Sequence, residues 1–269
     1  MAITEWVSAG HAPKTRICPP WFTLLNRSFF FCHFQEFDIL SLRSSVNPSG
    51  NEVKELATQT AFAEQVLHLL QSHRSIRKFT DRKIPEELLH QIILSAQMAS
   101  TSSHVQAYSI IGVSDPDKKK KLAELSGQQG YVETCAYFLV FCADLKRLDY
   151  VCKRQGTDVS ESLETIEKFI VATVDVTLAA QNAAIAAEAN GLGIVYIGGI
   201  RNHPEEVSQL LELPDKVYPV FGMCLGYPDQ DPAIKPRLPM SCLFFENRYP
   251  DLDTIQNDHV VQIAYNLNV

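Results

Sequence analysis

The segment that most constrains the fold is a long stretch at residues 161–190, which is predicted to be one helix. Residues 179–187 read Ala-Ala-Gln-Asn-Ala-Ala-Ile-Ala-Ala, so its second half is small and apolar on nearly every side. Gly191 follows, and glycine often ends a helix in the left-handed conformation. A helix without a polar face is stable inside a core or at a subunit interface. The long helix is therefore predicted to be buried, either in a core or at a subunit interface.

Short strands and helices are predicted around this helix. Helices are expected from residue 51, after Pro85, and at 118–125 and 204–211. Strands are expected at residues 108–113, 137–143, 194–200 and 217–225. Segment 137–143 is apolar without alternation, which is typical of a strand buried on both faces. Residues 147–162 are polar and poorly periodic, and they are expected to form a surface excursion. This order favours a mixed α+β layer architecture.

The first fifty residues differ from the rest in composition. They contain four of the chain's prolines, both tryptophans and a dense phenylalanine run at residues 29–34, and no helical or strand period persists there. Two interpretations remain: an extension that packs onto the domain or a partner, or sequence upstream of the true domain start. We expect residues 1–50 to be a poorly ordered extension and residues 51–269 to be the domain, with the boundary near Gly50.

Charge and cysteine usage exclude several classes of protein. The formal net charge of −7 argues against binding nucleic acid by bulk charge. The seven cysteines are scattered and form no Cys-x-x-Cys pair, so neither a disulfide framework nor a metal site is expected, and a cytoplasmic location is favoured. Asp175 and Glu188 interrupt the long helix, so we predict no membrane span.

The segment richest in hydrogen-bond donors and positive charge is the basic octet, residues 72–79, which reads Ser-His-Arg-Ser-Ile-Arg-Lys-Phe. Arg74 and Arg77 present planar forks that suit a phosphate or the carbonyl edge of a heterocycle, and His73 and Ser75 add donors. Such a cluster alone favours a solvated basic turn, because basic clusters usually lie on the surface. The later pair Lys235 and Arg237 could complete a clamp for a dianionic phosphate.

Other polar segments could surround the rest of such a ligand. The hydroxyl loop, residues 100–106, and Gln129 offer hydrogen bonds to a polar heterocycle. Gly198 and Gly199 would let the backbone approach a flat ligand closely. Neither a Gly-x-Gly-x-x-Gly fingerprint nor a P-loop is present. The residues alone thus indicate a site for a phosphate-bearing aromatic cofactor.

Six segments in the same order resemble the flavin-dependent nitroreductase family, in particular its NADPH-preferring branch of oxygen-insensitive nitroreductases and NADPH:FMN oxidoreductases. They are His73-Arg74-Ser75-Ile76-Arg77, Ser100-Thr101-Ser102-Ser103-His104-Val105-Gln106, Gly127-Gln128-Gln129, Tyr196-Ile197-Gly198-Gly199-Ile200-Arg201-Asn202, Val220-Phe221-Gly222-Met223-Cys224-Leu225-Gly226 and Lys235-Pro236-Arg237-Leu238-Pro239. The resemblance covers about residues 62–250. It implies a three-layer α+β fold with a mixed, mainly antiparallel central sheet flanked by helices. It also implies a homodimer with the long helix at its interface.

The resemblance implies an FMN held by residues of both subunits. His73, Arg74, Lys235 and Arg237 resemble the phosphate clamp, and Ser75 and Arg77 resemble contacts to the phosphate and the ring edge. Thr101, Ser103, Gln106 and Gln129 resemble ring or ribityl contacts. The backbone of Tyr196, Ile197, Gly198 and Gly199 lies where the family donates a hydrogen bond near flavin N5. No side chain is expected to act as a proton-transfer catalyst, and Arg77 would stabilise negative charge on the reduced ring.

The implied reaction is a ping-pong transfer of two electrons from NADPH, through FMN, to a nitroaromatic, a quinone or free flavin.

The sequence departs from the family pattern at both ends. Residues 1–50 have no recognisable counterpart, and no lysine or arginine follows Arg248, where members carry a basic loop that contacts NADPH. Two alternatives therefore stay open: a catalytically weak, truncated FMN-binding relative, or a non-catalytic module that binds another anion.

Overall fold

The computed structural model describes the backbone of residues 50–251 and the side chains of residues 60–251. The predicted extension up to residue 49 and the C-terminal segment from residue 252 lie outside the described residues, so the predictions made for them remain predictions. The elements that carry the candidate site belong to one compact unit that starts at Glu55.

Helices and strands alternate through the described part of the chain, which confirms the predicted α+β class. In chain order the elements are α1 Gly50–Gln71, α2 Glu86–Gln97, β1 Tyr108–Val113, α3 Pro116–Leu125, α4 Gly130–Thr134, β2 Tyr137–Asp144, α5 Lys146–Arg154, α6 Ser160–Leu163, α7 Ile166–Ala189, β3 Gly193–Ile197, α8 Pro204–Leu210 and β4 Val217–Gly226. Short 3-10 turns lie at Ser102–His104, Gly198–Asn202 and Met240–Cys242.

The four strands form one sheet in the order β1-β2-β4-β3. Each neighbouring pair is antiparallel, with a register irregularity in β2 between Phe141 and Cys142. The mainly antiparallel character expected of the sheet is thus confirmed. A parallel pair, which a mixed sheet would add, is not found among the strands of residues 50–251.

Both faces of the sheet are covered, as the unbroken apolar run of β2 predicts. Leu139 and Phe141 lie in the core cluster shared with α2 and α7. Phe138 and Val140 lie in a second cluster with residues of α3, α4 and α8. Because successive side chains of a strand point to opposite faces, a strand between two cores must be apolar at every position. The result is a three-layer arrangement of helix, sheet and helix.

The long helix α7 runs through the first core. It begins at Ile166 and not at residue 161, because the Thr165 side chain caps it by accepting a hydrogen bond from Lys168 N, leaving α6 as a separate turn. Gly191, at φ +75°, ends it as predicted, with Leu192 N donating to Ala187 O. By length and composition α7 could cross a membrane, but its alanine-rich face is buried against the sheet and α2.

Two further predictions are wrong. Segment 147–162, predicted only as a surface excursion, includes most of the helix α5, and this mainly polar segment contains one buried side chain. Asp149 is 1% exposed and pairs with Lys153 at 3.0 Å. The strand predicted for residues 194–200 ends at Ile197. Beyond Ile197 the chain turns into a 3-10 helix at Gly198–Asn202.

Candidate functional site

The basic octet, residues 72–79, is an extended segment that lies beside the sheet. Ile76 N donates to Ile194 O of β3 at 2.8 Å, and Phe79 pairs with Pro228 just after β4. Ile76 is buried while Arg77 is exposed, as expected where one side of an extended segment faces a core. Gly193 permits this approach, since a Cβ there would lie 2.6 Å from the Ile76 side chain.

The basic octet and the loop after β4 line one small cavity of about 100 Å³, called here the basic cavity. Its polar lining consists of His73, Arg74, Ser75, Arg77, Lys235 and Arg237, and Pro232 and Ala233 complete the wall. The structure thus brings together all six residues predicted for the phosphate end. Four lysine and arginine side chains around so small a volume form a site for a compact anion with high negative charge.

Two acidic residues that sequence reasoning missed hold groups of this cavity. Glu188 Oε1, on the last turn of α7, lies 2.6 Å from His73 Nδ1. This bond occupies Nδ1 and leaves Nε2 for another partner. Asp231 Oδ1 pairs with Arg74 at 3.0 Å, and the Asp231 side chain is 83% exposed. Neither acid carries a local sequence signal, because each meets its partner only through the fold.

The hydroxyl loop, residues 100–106, has an unusual backbone between α2 and β1. Ser103, His104 and Gln106 have φ values of 49°, 55° and 54°. Asp175 of α7, another residue missed by sequence reasoning, accepts hydrogen bonds from Ser102 N at 2.9 Å and Ala107 N at 3.0 Å. Among the described residues Thr101 Oγ1 is buried without a hydrogen-bond partner. The predicted contact of Thr101 with a ligand stays a prediction.

Gln129 and Gly199 meet at the turn that follows β3. Gln129 Nε2 donates to Ser126 O at 2.7 Å, and Tyr131 OH donates to Gln129 Oε1 at 2.7 Å. A Cβ on Gly199 would lie 2.3 Å from Ser126 O and 2.8 Å from Gln129 Nε2. The Gln129 amide thus supports the turn in this structure, and its predicted contact with a ligand stays a prediction.

The remaining predicted backbone contacts lie at the end of β3. Ile197 is buried. Gly198 lies close to the Arg201 side chain, since a Cβ added to Gly198 would lie 3.1 Å from Arg201 Nη2. Burial, with a smaller contribution from the Glu188 carboxylate, raises the pKa of Tyr196 well above its usual value. The Tyr196 hydroxyl therefore stays neutral and donates to Gln181 Oε1 at 3.4 Å.

One predicted ring contact, Gln106, lines a cavity other than the basic cavity. This cavity has a volume of about 540 Å³ and is also lined by Ile93 and Gln97 of α2, Tyr108 of β1 and Arg147 of α5. The structure therefore unites the predicted phosphate contacts and places Gln106 beside a separate cavity.

Comparisons with known proteins show which family the chain is similar to. A sequence model of the Nitroreductase family matches residues 70–227. The chain is 52% identical to the FMN reductase (NADPH) of Bacillus subtilis strain 168 over 178 residues, which is 66% of this chain and 72% of that protein. It is 44% identical to the NADPH-flavin oxidoreductase of Vibrio harveyi over 197 residues, which is 72% of this chain and 80% of that protein.

Solved structures give the same result. NfrA1 of B. megaterium matches with a TM-score of 0.72 and 48% identity, over 75% of this chain and 84% of that one. The NADPH:FMN oxidoreductase of Vibrio harveyi, complexed with NAD+, matches with a TM-score of 0.67 and 42% identity, over 74% of this chain and 85% of that one. The chain belongs to the Nitroreductase family.

Proposed function

We propose that this protein is an FMN-dependent NADPH oxidoreductase that reduces nitroaromatics, quinones or free flavin. The observation that carries the proposal is the basic cavity, in which two segments far apart in the sequence place six donor residues around one small space. Relatives named FMN reductase (NADPH) and NADPH-flavin oxidoreductase support the same cofactor and co-substrate.

The residues present fit FMN. A phosphate monoester is a compact dianion, and Arg74, Arg77, Lys235 and Arg237 supply charge while His73 and Ser75 supply further donors. FMN bound there would supply two-electron transfer between NADPH and the acceptor. The protein's own residues would bind and orient it: Arg77 would provide positive charge to the ring edge, and the backbone at Gly198 and Gly199 would allow close approach.

The ring contacts are proposed to come from a second copy of the chain. Gln106 of the hydroxyl loop and the six polar residues of the basic cavity line separate cavities in one chain, so a homodimer in which each subunit supplies one region would complete the site. The outer face of α7 suits such an interface, because Phe169, Ile170, Val174 and Leu178 are each more than 40% exposed.

The cysteines at 135, 142, 152, 224 and 242 are free thiols, which is in keeping with a cytoplasmic enzyme.

The test is the visible spectrum of the purified protein, followed by addition of NADPH without oxygen. We expect bound-flavin bands that bleach with NADPH and return when a nitroaromatic or quinone is added. NADH in place of NADPH is the control for co-substrate preference. Protein that takes up no FMN would contradict the proposal and favour a binder of another anion. Flavin bands that do not bleach would indicate a flavin-binding protein that does not oxidise NADPH.

A further inference from the structure

The hydroxyl loop keeps a backbone conformation that its sequence does not favour. Ser103, His104 and Gln106 all have positive φ, and none of them is glycine. This left-handed region is sparsely populated by residues with a Cβ, so such a run persists only where surrounding contacts fix it. The loop must therefore be held from outside.

Asp175 holds the loop at both ends. Its Oδ1 accepts from Ser102 N, immediately before the three residues, and its Oδ2 accepts from Ala107 N, immediately after them. The Asp175 side chain is 0% exposed, so water does not compete for these bonds. Hydrogen bonds to a carboxylate are stronger than those between neutral groups. One buried side chain thus brackets the left-handed segment.

Arg147 of α5 binds backbone carbonyl groups at the C-terminal end of the same loop. Its Nη2 donates to Gln106 O at 3.1 Å and also to Tyr108 O. The Arg147 side chain is 57% exposed, and it lies 3.6 Å from Asp144. The loop is therefore held by an acid that binds its N–H groups and by a base that binds its carbonyl groups.

We propose that Asp175 is a positioning residue for FMN: it fixes residues 101–107 in the conformation that presents Thr101, Ser103 and Gln106 to the flavin. This inference rests on the proposed function. Asp175 touches the loop backbone and not the ligand. The same helix carries Glu188, which holds His73 in the basic cavity. The long helix α7 thus orients both ligand-binding regions through two acidic side chains.

The test variant is Asp175→Asn, which keeps the size of the side chain but turns one acceptor into a donor. One of the two loop N–H groups then faces an NH₂ group and loses its partner. Hydrogen exchange of the loop amides in the FMN-free protein should become about tenfold faster at Ser102 and Ala107. The affinity for FMN, measured by fluorescence quenching, should fall about tenfold, and the shape of the visible flavin bands should change. Binding of inorganic phosphate to the FMN-free protein should stay unchanged.

Asp149→Asn is the matched control. Asp149 is also a buried carboxylate on a helix, but its partners are lysine side chains of α5 and not loop amides. This control should leave loop exchange and FMN affinity as in the wild type. If Asp175→Asn does not fold, Arg147→Ala takes its place, since the Arg147 side chain is mostly exposed. It should accelerate exchange in the same loop and weaken FMN binding to a smaller degree.

If hydrogen exchange of the loop amides is unchanged in the folded Asp175→Asn variant, these contacts do not hold the loop. The same conclusion applies to Arg147→Ala if it has to replace an Asp175→Asn variant that does not fold. Faster exchange with unchanged FMN affinity and unchanged flavin bands would overturn the link to the flavin. A wild-type protein that binds no FMN would overturn both the proposed function and that link, and the exchange measurement would still decide whether Asp175 holds the loop.

Discussion

The basic cavity and the hydroxyl loop are built in opposite ways. At the basic cavity the backbone is an ordinary extended segment, tied to the sheet through Ile76, and charged side chains form the site. At the hydroxyl loop the backbone itself is unusual, and a buried side chain, Asp175, holds it. Attraction between charges tolerates flexible side chains, whereas hydrogen bonds to a polar ring need donors in fixed directions. The first region therefore depends on charge and the second on rigidity.

The largest effect is expected from removing charge at the basic cavity. Arg74→Ala combined with Arg237→Ala should lower FMN affinity at least about a hundredfold, because each charge-assisted hydrogen bond contributes about 1.5–3 kcal/mol. The variant should be mostly colourless after purification. The ratio of flavin absorbance to protein absorbance measures its FMN content. Lys83→Ala with Lys120→Ala removes the same charge from exposed lysines and should keep the flavin. Normal FMN content in the arginine variant would refute the clamp.

Close backbone packing beside Gln129 should matter for stability. Gly199→Ala places a Cβ 2.3 Å from Ser126 O, a backbone atom that cannot move away easily. We expect a loss of about 1–3 kcal/mol in the free energy of unfolding, measured by urea denaturation. Gly130→Ala is the control, since its Cβ would meet nothing within 4 Å. Equal stability of the two variants would show that the turn after β3 is loosely packed.

A smaller effect is expected where one side chain orients another in the basic cavity. Glu188→Ala removes the 2.6 Å partner of His73 and should weaken FMN binding roughly fivefold, about 1 kcal/mol. Glu188→Gln keeps an acceptor at the same place and should retain most of the affinity. Dissociation constants from fluorescence quenching compare the three proteins. If the alanine variant binds as tightly as the wild type, Glu188 does not orient His73 for the ligand.

The smallest effect is expected at Asp231, whose carboxylate pairs with Arg74 at 3.0 Å and so competes with a phosphate. Because exposed ion pairs contribute about 0–1 kcal/mol, Asp231→Asn should raise FMN affinity by no more than about fivefold. Asp229→Asn changes the net charge equally, two residues away, and serves as the control in the same titration. An equal gain in both variants would point to net charge and not to the Arg74 pair.

Sequence reasoning worked best where a feature is local. The apolar run of β2 is complete in itself and predicted a strand with two buried faces, which the two cores confirm. The two halves of the basic cavity were also predicted from residue types alone, as were the strand limits of β1. The predicted start of α7 is too early, because Ser160, Ser162 and Thr165 are all residue types that can cap a helix and the sequence does not show which of them does so.

The layered α+β fold, the family and the charged residues of the basic cavity could be predicted from the amino-acid sequence. They follow from periodicity, side-chain chemistry and short motifs, which are properties of neighbouring residues. The fold was needed to show that Asp175 contacts the hydroxyl loop and that Glu188 binds His73, a residue 115 positions away in the chain. Asp175 is buried and Glu188 is half-buried, and neither carries a local sign of its partner, because the fold alone brings the two elements together.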